Sequence, residues 1–192
     1  IIFFALEYAD AFSLLKEIYI GILAHAAIKA DINDKQSFLS YLSDYSPDYI
    51  FHLAANTSMS GLNLADYKTN IEGVQNIIDS LYKLSNNITL IVASTQHVKA
   101  PGSYTYITRK NYNPLGLYGQ SKLITEKLIL ESKLKQKWYI VRPTLVWGPQ
   151  NNVMAEAIFK YINNGIYFHP SKDNTVRAYG YVDNLCYQML KL

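Results

Sequence analysis

Three short runs of apolar residues without polar alternation constrain the fold of this chain more than any other feature. They cover residues 49–53, 88–93 and 138–141, and turn-forming residues such as Ser46-Pro47-Asp48 and Asn86-Asn87 lie beside them. A strand that is buried on one face alternates polar and apolar residues, whereas a strand buried on both faces does not. The runs therefore predict strands of a parallel sheet that is covered on both faces.

Further segments fill the space between these predicted strands. Apolar residues recur at helical spacing over residues 36–45, about 66–84 and 118–135, and shorter apolar runs at 1–4, 18–23 and 28–31 predict further strands. Strands that alternate with helices are typical of a doubly wound α/β sheet of the Rossmann type. Such sheets bind ligands at the carboxyl ends of their strands. Residues that directly follow a strand are therefore the first candidates for a functional site.

Tyr118 and Lys122 are the first candidates for chemistry. Residues four apart on a helix share one face and lie one turn from each other. An ammonium beside a phenol favours the phenolate and lowers the phenol pKa from about 10. A tyrosine with such a pKa can act as a general acid or base on a carbinol oxygen. An exposed helix face is the alternative, because a chain with 17 tyrosines contains this spacing by chance.

Ser94 and Thr95 follow the predicted strand 88–93 directly. A hydroxyl at that carboxyl edge can hydrogen-bond the same substrate oxygen as Tyr118. A turn or a helix cap is the alternative for a Ser-Thr pair after a strand.

Seven segments, in order along the chain, resemble motifs of the extended short-chain dehydrogenase/reductase family, the NAD-dependent epimerase/dehydratases of sugar nucleotides. The matching segments are Asp31-Ile32, residues 48–55, residues 70–76, Ser94-Thr95, Tyr118 to Lys122 with Glu126, residues 141–149 and residues 177–184. The resemblance covers most of the chain. It implies a Rossmann-type fold, NAD or NADP as cofactor, and a nucleotide-linked sugar as substrate.

The resemblance also implies individual roles. Tyr118 would be the acid/base, Lys122 would grip the nicotinamide ribose and tune Tyr118, and Thr95 would share the substrate oxygen. The cofactor-binding residues implied are Asp31, Ile32, Leu53, Ala54, Ala55, Ser94, Tyr118, Lys122 and Pro143. The substrate-binding residues implied are Thr95, Gln96, Thr57 and Arg177, of which Arg177 would meet the diphosphate of the sugar nucleotide.

Two other residues in these motifs are expected to be structural. Arg142 is expected to tie a strand to a helix. His52 lies inside an apolar run, where a histidine is more often a packed, hydrogen-bonded core residue than a ligand.

The domain organisation and partners follow from the same resemblance. Residues 1–148 are predicted to form the NAD(P)-binding domain, and residues 149–192 part of a substrate-binding region that returns to the sheet. Family members pair through their two long helices, so we expect a homodimer in which residues 118–135 form one of those helices.

The sequence departs from the family pattern at the cofactor phosphates. The first strand should lead into a G-x-x-G-x-x-G turn, where backbone N–H groups approach the diphosphate at a helix N-terminus. Residues 1–4 fit that strand and residues 5–17 fit the helix, but no glycine lies between them. Either residues of a longer chain are missing at this point, or the protein has lost cofactor binding and is a non-catalytic module.

Two more departures bear on the reaction. Sugar-nucleotide 4,6-dehydratases carry Asp-Glu directly after the active-site threonine, whereas this chain carries Gln96-His97. Glutamine cannot exchange protons, so dehydration is disfavoured, although histidine side chains in general titrate near neutral pH. Leu145 replaces an asparagine that contacts the nucleotide diphosphate. An epimerase or oxidoreductase is therefore the first hypothesis, and a keto-sugar or other carbonyl reductase is the second.

Composition limits the remaining classes. The net charge is +3 and the basic residues are scattered, so nucleic-acid binding is not expected. The single cysteine, Cys186, fits a buried small hydrophobe in a reducing compartment. The apolar run 18–28 is shorter than the roughly 20 residues that span a bilayer, and no leader is evident. We expect a cytoplasmic protein without a membrane span, and the histidine and carboxylate spacing predicts no metal site.

Overall fold

The computed structural model describes residues 2–4, 31–84, 87–99, 112–149, 159–166 and 178–192. The strands are β1 (Ile2–Phe4), β2 (Tyr49–His52), β3 (Thr89–Ala93), β4 (Trp138–Val141), β5 (Leu145–Trp147) and β6 (Tyr179–Tyr181). The α-helices are α1 (Lys35–Tyr45), α2 (Lys68–Leu81), α3 (Gly116–Glu131), α4 (Lys160–Asn163) and α5 (Val182–Leu190), with 3-10 turns at Leu64–Tyr67 and Gln96–Val98.

Strands β1 to β4 form one sheet in the order β1-β2-β3-β4, and every neighbouring pair is parallel. The register sets Ile50 of β2 beside Leu90 of β3, and Leu90 beside Trp138 of β4. Strands β5 and β6 form a separate parallel pair. The predicted parallel sheet with intervening helices, an α/β fold of the Rossmann type, is confirmed.

Both faces of the main sheet are covered, as the absence of polar alternation predicts. On one face, residues of β2 and β3 such as Ile50 and Val92 join one core cluster with residues of α1, α2 and α3. On the opposite face, Phe51 and Ile91 pack against Met189 of α5. The alternation of side chains along each strand sends successive residues into these two cores.

The helix boundaries follow local hydrogen-bonding chemistry. Asp34 caps α1 by accepting hydrogen bonds from the backbone N–H groups of Gln36 and Ser37. Ser46 ends α1 in the left-handed region at φ 40°, directly before Pro47. The helix predicted from residue 66 begins at Lys68, because Asn63 and Asp66 form a capping box that holds the preceding residues in a 3-10 turn.

Some predicted elements lie outside the described residues, and some observed elements were not predicted. The predicted helix 5–17 and strand 18–23 lie outside the described residues, as does most of the predicted strand 28–31. Asp31, which is described, is not in a strand. Strands β5 and β6 and helix α5 were not predicted. The boundary between residues 148 and 149 stays a prediction, and the pairing of β5 with β6 joins residues on either side of it.

No helix in the described ranges is both long enough and apolar enough to cross a membrane. Across those same ranges, histidine, cysteine and carboxylate side chains form no group of three that would hold a metal ion. Cys186 is buried on α5, as predicted, and burial raises the pKa of its thiol to about 11.

Candidate active site at the carboxyl end of the sheet

Helix α3 lies directly on the segment that follows β3. The backbone N–H of Leu115 donates to the His97 carbonyl at 2.7 Å, and α3 begins at the next residue, Gly116, with φ +64°. A Cβ atom on Gly119 would lie 2.4 Å from the same His97 carbonyl oxygen. Glycine at position 119 therefore permits a contact between helix and strand end that any side chain would block.

Tyr118 is enclosed by three residues from different elements. Its ring lies 6.3 Å from the ring of Tyr67 and 5.9 Å from that of His97, measured between centroids. The Thr95 side chain lies close enough to the Tyr118 hydroxyl to favour the phenolate. Burial raises the pKa of Tyr118 above 10.0, and the influence of Thr95 opposes that rise without cancelling it.

The expectation that Lys122 lowers the pKa of Tyr118 is wrong for this structure. The Lys122 ammonium is directed at the end of β3, where its Nζ donates to the Ala93 carbonyl at 2.8 Å. Lys122 is only 3% exposed, and burial lowers the pKa of its ammonium to about 8, while the nearby Glu126 charge partly offsets the fall. Lys122 therefore does not contribute to the shift at Tyr118, where burial outweighs the other influences.

The lowered pKa of Lys122 predicts a specific pH dependence of stability. The native pKa of about 8 lies below the ordinary value of 10.5. Below pH 8 both the native and the unfolded states hold the proton, and between 8 and 10.5 the native state releases it first. The unfolded state then binds more protons, so stability rises with pH across this window. A Lys122→Met variant lacks this contribution.

We therefore expect the difference in unfolding free energy, wild type minus Lys122→Met, to increase by about 1–3 kcal/mol from roughly pH 8 to pH 10. Urea denaturation at a series of pH values measures it. Lys127→Met, an exposed lysine on the same helix, is the matched control and should give no such slope. A flat difference for Lys122→Met would contradict the burial of a titrating ammonium.

Thr95 combines the two roles that the sequence left open. Its side-chain oxygen accepts a hydrogen bond from the backbone N–H of His97 at 3.2 Å and so caps the 3-10 turn Gln96–Val98. The same side chain favours the phenolate form of Tyr118 and so lowers the pKa of that residue. The cap orients Thr95 towards Tyr118, since it fixes the start of the turn beneath α3.

A buried ionic network centred on Glu126 of α3 joins the ends of β3 and β4. The Glu126 carboxylate, 0% exposed, accepts hydrogen bonds from Ser94 Oγ at 2.5 Å, Tyr112 at 2.6 Å, and Arg142 Nε and Nη2 at 2.8 and 2.7 Å. Burial alone would raise the pKa of Glu126, but the hydrogen bonds from Arg142, Ser94 and Tyr112 outweigh it and hold that pKa below its usual value. The expectation that Arg142 ties strand to helix is confirmed.

A second polar cluster joins α2 to α3. The Asn70 side chain accepts from the backbone N–H of Asn56 at 2.7 Å and donates to Ser121 Oγ at 3.0 Å. The Ser121 hydroxyl in turn donates to the Tyr118 carbonyl at 2.8 Å. Asn70 thus fixes the loop after β2 and the turn of helix that carries Tyr118. Its part in the motif at residues 70–76 is structural in the unliganded chain.

The other predicted cofactor residues occupy different environments. Asp31 is exposed, and its carboxylate accepts hydrogen bonds from Asn33. Ile32 is buried in the core against Gly73, so its side chain is not on a ligand-facing surface. After β2, the small residue Ala54 is buried and Leu53 packs on the α5 face.

The remaining predicted site residues surround the same carboxyl edge. Ala55 and Pro143 are half-buried, and the Pro143 carbonyl accepts the backbone N–H of Gln96 at 3.2 Å. Gln96 and Thr57 are exposed, as substrate-binding side chains need to be. Arg177 lies outside the described residues.

His52 is packed as predicted, but the expected hydrogen bond is absent. The side chain is 1% exposed, and within the described ranges neither ring nitrogen has a hydrogen-bond partner. Burial, with the nearby Lys122 charge, lowers the pKa of His52 to about 3. The imidazole is therefore neutral at physiological pH.

The residues at this edge fit a nicotinamide dinucleotide. Among the described residues the Lys122 ammonium makes one hydrogen bond, to Ala93, and an ammonium has three donors, so two remain there for hydroxyl groups such as those of a ribose. Alanines follow β2, and small side chains let a ligand approach the backbone. Residues 5–17, at whose start the family's phosphate-binding turn would lie, are outside the described residues.

Comparisons with known proteins place the chain in a family. Residues 5–192 match the model of the NAD dependent epimerase/dehydratase family. The chain is 31% identical over 106 residues to a UDP-N-acetylglucosamine 4,6-dehydratase (inverting) of Campylobacter jejuni, which covers 52% of this chain and 26% of that protein. It is 21% identical over 160 residues to the N-acetyl-alpha-D-glucosaminyl-diphospho-ditrans,octacis-undecaprenol 4-epimerase of Escherichia coli, covering 81% of this chain and 47% of that protein.

A solved structure extends the likeness to three dimensions. The UDP-glucose 4-epimerase of Thermotoga maritima, determined with UDP-glucose, superposes with a TM-score of 0.71 at 26% identity and covers 88% of this chain and 59% of its own. The chain thus spans between about a quarter and three fifths of the length of these proteins. Because the family model matches almost the whole sequence, the chain belongs to the NAD-dependent epimerase/dehydratase family.

Proposed function

We propose that this protein is an NAD(P)-dependent epimerase or oxidoreductase that acts on a nucleotide-linked sugar. The observation that carries the proposal is the convergence of Tyr118, Thr95 and the Lys122 ammonium on one strand end. This arrangement joins a half-buried phenol, a hydroxyl and a cation at the edge where doubly wound sheets bind ligands. Membership of an NAD-dependent family supports the choice of cofactor.

Tyr118 would exchange the proton of a substrate hydroxyl. Burial raises the pKa of Tyr118, so the phenol keeps its proton in the unliganded chain and can donate it. The Thr95 side chain has the opposite effect on this pKa and favours the phenolate, which can accept a proton. Thr95 would hydrogen-bond the same substrate oxygen and so orient it. When bound, the nicotinamide cofactor supplies the hydride acceptor and donor.

Lys122 would donate hydrogen bonds to cofactor hydroxyls through the N–H groups of its ammonium that are not bonded to the Ala93 carbonyl. An ammonium with a pKa of about 8 stays charged at neutral pH, so it can act as a cation in a buried place. Asp31, Leu53, Ala54, Ala55, Ser94 and Pro143 would line the rest of the cofactor site, whereas the Ile32 side chain, buried in the core, would not. The Ser94 hydroxyl already donates to Glu126, so it would meet the cofactor as an acceptor.

The substrate class is supported by the relatives and by two exposed side chains. The Thermotoga maritima neighbour was determined with UDP-glucose, and the Escherichia coli relative is named for a diphosphate-linked sugar. Thr57 and Gln96 are exposed at the same edge and would contact the sugar, and Arg177 would pair with its diphosphate. A homodimer formed through α3 and its neighbour stays a prediction.

A one-way reductase of a keto sugar is the second candidate, and Gln96 favours it over a dehydratase. Dehydration needs a group that abstracts a proton from carbon and another that protonates the departing hydroxyl. Gln96 cannot supply either proton transfer, although one relative is a dehydratase. Both an epimerase and a reductase need only the acid/base chemistry of Tyr118.

Product analysis separates these reactions. The full-length protein is incubated with NAD or NADPH and a panel containing UDP-glucose, UDP-N-acetylglucosamine and the corresponding 4-keto sugars. We expect an epimerised sugar without net change in cofactor absorbance at 340 nm for an epimerase, and stoichiometric loss of that absorbance for a reductase. Absence of cofactor binding by calorimetry would refute both and favour the non-catalytic module.

A further inference from the structure

His97 borders Tyr118, yet the chemistry proposed above does not use its imidazole. The ring lies edge-on to the Tyr118 ring, with centroids 5.9 Å apart and planes inclined by 62°. Its Nδ1 atom is buried, and no residue in the described ranges hydrogen-bonds to it. Buried polar atoms in native proteins are nearly always hydrogen-bonded, so this nitrogen lacks a partner that a bound molecule can supply.

The position of His97 does not depend on its ring nitrogens. Its backbone N–H donates to Thr95 Oγ1 at 3.2 Å, and its carbonyl accepts from Leu115 at 2.7 Å. Gly119 of α3 packs directly against the same carbonyl. Since the backbone is fixed on both sides, the imidazole is placed beside Tyr118 without needing a hydrogen bond of its own.

A sugar offers the missing partner. Sugar hydroxyls occur on neighbouring carbons, so an oxygen held by Tyr118 and Thr95 has other hydroxyls within a few ångströms. A neutral imidazole presents one donor and one acceptor nitrogen, and either can pair with a hydroxyl. We propose that Nδ1 of His97 binds a substrate hydroxyl adjacent to the one served by Tyr118, an inference that rests on the proposed function.

Substitutions that move or remove the nitrogen test the proposal. His97→Asn places an amide near the position of Nδ1, His97→Gln extends it towards that of Nε2, and His97→Leu removes it. With UDP-glucose and UDP-N-acetylglucosamine as substrates, we expect KM to rise about tenfold or more for Gln and Leu, the loss of one hydrogen bond. For Asn we expect KM within about threefold of wild type, and kcat to change less than KM in all three.

Thermal unfolding of the unliganded variants excludes a purely structural role. Because Nδ1 has no partner among the described residues of the unliganded chain, His97→Leu should melt within about 2 °C of wild type or above it. A fall of more than about 5 °C, a change of a kilocalorie or more in a domain of this size, would overturn the proposal. So would a KM unchanged in both His97→Gln and His97→Leu.

The two proposals fail in different ways. If Tyr118→Phe retains turnover, the proposed function is contradicted. If Tyr118→Phe loses turnover while the His97 variants keep the wild-type KM, only the role of His97 is contradicted.

Discussion

Replacing Tyr118 with phenylalanine is expected to lower kcat by about 10²- to 10⁴-fold, the range that general acid–base catalysis contributes. The change removes one oxygen and leaves the ring, which packs beside Tyr67 and His97. The fold should therefore persist, and thermal unfolding should differ by no more than the loss of one hydrogen bond. KM should change little, because a proton-transfer group acts mainly in the transition state.

The matched control makes the same chemical change away from the site. Tyr45 is the last residue of α1 and is largely exposed. Tyr45→Phe should leave kcat and KM unchanged. Steady-state kinetics with the substrate that gives the highest wild-type turnover measures both variants. Turnover of Tyr118→Phe within about threefold of wild type would remove Tyr118 from the mechanism.

The paired positions of Tyr118 and Lys122 could be predicted because helical geometry is local. A spacing of four residues determines a shared face, and both side chains reach the segment around the end of β3, where Lys122 contacts Ala93 and Tyr118 lies beside His97. The direction of the Tyr118 pKa shift could not be predicted, because it depends on burial and on where the Lys122 ammonium is directed. The partner of Lys122 is a backbone carbonyl, Ala93, and no side-chain pattern marks it.

The contacts around Glu126 could be predicted from the sequence only in part. The expectation for Arg142 came from the family resemblance, whereas nothing in the sequence pointed to Tyr112. A hydrogen bond between Tyr112 and Glu126 joins residues 14 positions apart across the start of a helix, a separation that no periodicity reports. Tertiary contacts of this kind become visible only when both elements are placed.

Some missed elements did leave a signal. Val182, Cys186 and Met189 are the buried residues of α5, and their spacing of four and three is the apolar stripe of an amphipathic helix. Strands β5 and β6 have three residues each, which is too short for a hydrophobic pattern to define them.

The second large effect concerns stability. Glu126→Leu is expected to lower the free energy of unfolding by about 3–5 kcal/mol, the cost of removing one partner of a buried ion pair. The substitution leaves the Arg142 guanidinium, whose side chain is 26% exposed, without its carboxylate partner. It also removes the acceptor of the hydrogen bonds that the Ser94 and Tyr112 hydroxyls donate. Because Ser94 adjoins Thr95, we also expect catalytic activity to fall in the folded fraction. Urea denaturation at neutral pH measures the stability change.

Two comparisons distinguish the buried pair from an ordinary surface charge. Lys68 and Glu72 form an ion pair at 3.4 Å with side chains 66% and 52% exposed, and Glu72→Leu should cost less than about 1 kcal/mol. Adding Arg142→Met to Glu126→Leu should restore most of the lost stability, because an apolar pair leaves no buried charge without a partner. If the double variant is instead less stable than Glu126→Leu alone, Arg142 stabilises the strand end through contacts other than Glu126. That result would separate the role of Arg142 in joining β4 to α3 from its role as a counter-ion, since only the second depends on the carboxylate.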